Sequence, residues 1–202
     1  MSTRLAIATV VLIVSCVTAR AADPRYPDWP CVQAKVPEIS LAAVWAGPPI
    51  DDVASTWKDH AEVAALVEQL ASRRVPVEQA QKAATDFLAR SGDKAKFGKL
   101  IFAGLFDSLN SQRSAVLNGL ERVTRKQREA VEKIRTDTAA LQTLQSAAAA
   151  DQAKIDELNN QVLWEARIFD DRRRVVTFVC EVPTIIDQRL FALSRTIQQE
   201  ME

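Results

Sequence analysis

The chain has 202 residues, 48% of them apolar and 26% charged, with 26 basic side chains against 26 acidic ones. That length and apolar fraction suit one packed domain and exclude a disordered chain. A balanced charge gives no global attraction to nucleic acid or to an anionic membrane, so neither is expected as a partner.

The first segment reads as an export signal. Arg4 supplies a positive start, an apolar run follows over residues 5–14, and Ala19 and Ala21 are the small residues a signal peptidase reads. A run of this length is too short to span a bilayer. Cleavage after Ala21 would remove Arg4 and Arg20, turning 26:26 into 24:26, a net charge of −2. The favoured expectation is a soluble periplasmic protein. The alternative is a lipoprotein: Ile13, Val14, Ser15 and Cys16 resemble a lipobox, and only a lipidated Cys16 would place the chain on a membrane.

Residues 22–58 form a proline- and tryptophan-rich strap. Six of the eight prolines (Pro24, Pro27, Pro30, Pro37, Pro48 and Pro49) interrupt any long element. One short helix fits between Ser40 and Ala46. Trp29, Trp45 and Trp57 are expected to pack onto a helical body rather than to line a ligand groove. With Cys16 gone or lipidated, Cys31 and Cys180 remain, and an oxidising compartment favours a disulfide between them over two buried thiols. Closing so long a loop allows roughly 4–5 kcal/mol of stabilisation on a chain-entropy argument.

Residues 59–202 should be helical. Asp59 and Glu62 suggest a capping box for a first helix, with Val63, Leu66, Val67 and Leu70 as its stripe. A second helix fits residues 77–91, with Gly92 as a stop signal. A much longer helix then starts near Asp93 or Lys99, where Phe102, Leu105, Phe106 and Leu109 make an apolar base. Core packing suits that base better than membrane insertion, since only Lys94, Lys96 and Lys99 flank it. Two heptad seams follow, one through Leu120, Gln127, Ile134 and Leu141, the other through Ile155, Val162, Phe169 and Val176.

The predicted fold is therefore all-α: a small helical bundle extended by a long antiparallel coiled-coil hairpin, the arm running over about 99–202. The hairpin reverses at residues 147–152. Against this stands the segment 146–151, which has four alanines and neither glycine nor proline, so one continuous dimerising helix is the competing arrangement. Pro183 should divide the return arm.

No catalytic constellation, metal-ligand spacing or cofactor motif is legible, so catalytic, metal and cofactor residues are all expected to be none. The single histidine, His60, sits in a helix start. Zinc sites and nucleotide loops need more His, Cys or Gly than the chain offers. Two partner-binding candidates stand out. One is a basic band: Arg122, Arg125, Lys126 and Arg128 on the outgoing arm and Arg172, Arg173 and Arg174 on the return arm, all at one height if positions summing to about 300 face each other. Ordinary pairing with Glu121, Glu129, Asp170 and Asp171 is the simpler account of that band. The other is Leu163, Trp164 and Ile168, which a two-helix seam cannot bury together. A partner protein, a second copy of the chain, or cover from a front helix would each satisfy them. The function expected is a non-catalytic adaptor, scaffold or assembly factor in the bacterial cell envelope, acting by protein–protein interaction through the arm. The alternative is a periplasmic helical bundle that binds a small ligand.

Overall fold

The structure, a computed structural model, describes residues 23–202. The predicted leader, Cys16 and the cleavage site at Ala21 lie outside the described residues. Six α-helices and no strands make up the described chain: α1 (Leu41–Val44), α2 (Ala61–Ala71), α3 (Val77–Arg90), α4 (Lys94–Ser146), α5 (Gln152–Val179) and α6 (Val182–Met201). A 3₁₀ turn (Trp57–Asp59) precedes α2.

The core lies where α2, α3, the first part of α4 and α6 meet. Leu70, Leu88, Ile101, Phe102, Leu105, Leu109, Ile186, Leu190, Leu193 and Ile197 are fully buried there. These side chains recur at three- and four-residue intervals, so each helix turns one apolar face inward. This is the predicted small helical bundle, with Leu100, Ile101, Phe102, Leu105 and Leu109 in its core rather than in a membrane.

The long helix starts as a cap requires. The Asp93 carboxylate accepts from the Lys96 backbone N–H at 2.9 Å, which satisfies one of the free donors of the first turn. The predicted capping box at Asp59 does not form. His60 takes the cap position of α2 and makes no side-chain cap bond, because Asp59 is used in the preceding 3₁₀ turn. Gly92 does not act as a left-handed stop either: α3 ends at Ser91 in extended backbone, and no described glycine has positive φ.

The chain does reverse after α4. Ala147 leaves the helix in extended conformation, and Asp151 restarts it by accepting from the Lys154 N–H. A cap residue replaces the glycine or proline that a turn would ordinarily show. Cross-arm hydrogen bonds from Gln127 to the Phe169 carbonyl at 3.0 Å and from Lys133 to Glu165 at 2.6 Å match the expected register within a few residues. Leu141 and Ile155 are buried together near the tip.

The return arm breaks between α5 and α6. Pro183 stands in the first turn of α6, where its missing N–H costs no helical bond. The result is a bent helical hairpin.

Candidate partner-binding surface

The strap clamps one flank of the arm near its base. Cys31 and Cys180 are at disulfide distance, with Cα atoms 5.5 Å apart and a sequence separation of 149. Gln33 donates to the Cys180 carbonyl, and Lys35 pairs with Glu121 on α4 at 2.5 Å. Asp28 receives Arg125 at 2.8 Å and also Arg128, whose guanidinium donates to the Pro27 carbonyl as well. These bonds hold the Asp28 carboxyl below the usual carboxylate range, Arg125 contributing first and Arg128 second.

The strap tryptophans serve the fold. Trp45 stacks on Phe102 with ring centroids 3.9 Å apart and donates to the Pro48 carbonyl. Trp57 packs over Gly104, where an added Cβ would lie 2.7 Å from the indole. Trp29 donates to the Gln33 carbonyl. His60 lies edge-on to Phe97 at 6.2 Å.

Two buried arginines, which nothing in the sequence distinguishes from surface ones, tie the parts together. Arg113 reaches Asp187 at 2.8 Å and the Val36 carbonyl at 2.6 Å, joining α4, α6 and strap. Arg189 donates to the Leu70 carbonyl at 2.6 Å, near the C-terminal end of α2, and to the Val75 carbonyl of the α2–α3 connection at 2.8 Å.

The basic band divides into three groups. Arg125 and Arg128 belong to the strap contact. Arg173 and Arg174 lie near Asp170 and Asp171 at 4.0 and 3.8 Å, as one-turn helix pairs. Arg122, Lys126 and Arg172 have no acid within ion-pair distance among the described residues, and they come together across α4 and α5. They rim a groove of about 600 Å³ whose walls are Val116, Leu120, Val123, Val175, Val176 and Val179.

Leu163 and Trp164 are 61% and 62% exposed, and Ile168 is half-buried. Among the described residues no front helix covers the tryptophan. Leu163, a residue away and so turned by about 100°, faces a different direction. Trp164 and Ile168 instead continue into Val175 and Phe178, which are 59% and 72% exposed. Spacings of four, seven and three keep these residues on one stripe of α5, interrupted by Asp171 and opposite the Ile155, Val162 and Phe169 seam. Val175 and Phe178 were missing from the sequence candidates, although this spacing was available to find them.

No protein-family model, curated protein or solved structure matches the chain.

Proposed function

We propose that the protein is a non-catalytic adaptor or assembly factor of the bacterial cell envelope, exported through its N-terminal leader, that holds a partner protein on the α4–α5 arm. The observation that carries this reading is the outward apolar stripe of Trp164, Ile168, Val175 and Phe178. Large apolar side chains aligned on one exposed helix face are costly to leave in water, and aromatic residues so placed are frequent interface anchors. The strap supports the same reading, since it fastens the base of the arm to the bundle and makes the arm a stiff presenting element. A small ligand held by the bundle or strap has less behind it, because Trp45 and Trp57 are occupied in the core.

The test is a photoreactive residue in place of Trp164, introduced into the full chain in the cells that produce it. The adaptor reading expects a covalent adduct with a second protein. Adducts solely with the same chain would make the stripe a dimer interface, and the absence of any adduct would reject the reading.

A further inference from the structure

Among the described residues the arm is a two-helix pair with one flank filled and the other open. Glu121, Arg125 and Arg128, which meet the strap, lie about half a turn round α4 from Gly119, Val123 and Lys126, which face the groove. The strap therefore occupies one of the two positions a third helix could take beside α4 and α5. The other position is the Val- and Leu-walled groove, which follows α4 between Val116 and Gln127 for about 16 Å, or three turns.

Gly119 supplies an independent indication of what belongs there. Three glycines lie within α4, and glycine is the costliest residue after proline in a helix interior. For two of them the fold provides the reason: a Cβ at Gly98 would collide with Met201, and one at Gly104 would meet Trp57 and Val67. At Gly119 a Cβ would meet nothing within 4 Å. No described residue occupies the space above it, which opens into the groove. A glycine at the floor of a helical groove lets another backbone approach closely, as small residues do at tight helix–helix contacts.

The rim fixes the charge of the occupant. Arg122, Lys126 and Arg172 surround the apolar floor, and the one acid of the lining, Asp171, is already drawn to Arg174 at 3.8 Å. A second copy of the chain is a poor fit by charge. Its own exposed stripe on α5 is flanked by Arg167, Arg172 and Arg174, while Asp171 within it is drawn to Arg174 and Glu165 at its edge is taken by Lys133, so base would meet base.

From these observations we infer that the α4–α5 groove receives an acidic amphipathic helix of a partner protein, about three turns long, with apolar residues on the Val116, Leu120, Val123, Val176 and Val179 walls and a small residue over Gly119. The inference deepens the adaptor reading and rests on it. Trp164 and Phe178 would then extend the contact beyond the groove.

The experiment places a photoreactive residue at Val123 in the full chain, in the producing cells, with the position 164 variant in parallel, and identifies the adducts by mass spectrometry. The expected adduct at 123 is a segment of another protein with net negative charge and apolar residues at three- and four-residue spacing. A synthetic peptide of that segment should bind the purified protein, and Gly119→Leu should weaken it by about tenfold or more by filling the floor. Arg122→Gln with Arg172→Gln should weaken it comparably and remove most of its salt dependence. Melting temperature checks that each variant is folded, as the open space over Gly119 predicts. Adducts with the same chain, adducts with lipid alone, a basic or non-helical segment, or binding indifferent to Gly119→Leu would each overturn the inference. A partner adduct at 164 with none at 123 overturns the groove and leaves the adaptor reading standing.

Discussion

Arg113 donates to the Asp187 carboxylate at 2.8 Å from a side chain only 4% exposed, while the carboxylate itself is 42% exposed. The same guanidinium satisfies the Val36 carbonyl, so one residue of α4 holds both the strap and α6. Arg113→Ala should therefore destabilise by about 2–3 kcal/mol, at or below the lower end for breaking buried pairs because Asp187 can rehydrate. Urea unfolding checks this, and a loss under about 0.5 kcal/mol would place the pair among inert surface contacts.

Asp187 and Asp28 should respond to acid in opposite senses. Burial pushes the Asp187 carboxyl above its ordinary value, and Arg113 only partly offsets it. Between the unfolded value near 3.9 and the raised native one, the folded state binds more protons, so stability falls as pH rises through that window. Asp187→Asn should flatten that slope. Asp28 is held low by Arg125 and Arg128, so its contribution is complete above about pH 3.9 and is lost as pH falls through the lowered native value. Carboxyl carbon shifts followed by NMR should show Asp28 titrating below that value and Asp187 above it.

The turn and the disulfide can be tested in one digestion. Residues 147–150 lie outside helix and are exposed, so limited proteolysis should cut there before it cuts the arm. The two fragments carry Cys31 and Cys180 respectively, so they should run as one species until reductant separates them. A continuous helix would resist cleavage, and free thiols would release the fragments without reductant. Reduction of the uncut protein should cost at most about 5 kcal/mol on the loop-entropy argument.

Glycine substitutions in α4 should differ in sign. Gly119→Ala meets open space and should stabilise by up to about 1 kcal/mol through helix propensity alone. Gly104→Ala would set a Cβ 2.7 Å from Trp57 and 2.8 Å from Val67, and should cost about 1–3 kcal/mol. Gly98→Ala meets the flexible end of Met201 and should be milder. Thermal unfolding ranks the three, and equal effects at 104 and 119 would contradict the packing described.

The fold was legible where the physics is local. Periodic apolar positions such as Phe102, Leu105 and Leu109 marked the core face, Pro183 marked the bend, and the Ile155 seam marked the return arm. The reversal at Asp151 was harder to see, because a carboxylate cap leaves a weaker trace than glycine does. Contacts between distant residues were not legible. Nothing near Arg113 or Arg189 separates a buried guanidinium from the exposed ones, and the capture of Arg125 and Arg128 by Asp28 depends on a strap about a hundred residues away. For the same reason the basic band read as a single patch, whereas only Arg122, Lys126 and Arg172 of it face the groove.

In the adaptor reading, the exposed face of the arm holds a partner rather than stabilising the chain. The most direct measurement pairs unfolding with partner recovery for the double variant Trp164→Ser, Phe178→Ser. Both side chains are largely in water, so stability should change by no more than about 0.5 kcal/mol, while recovery of the partner by affinity capture on the purified double variant should fall about tenfold or more. Undiminished partner recovery from a stably folded double variant would contradict the account.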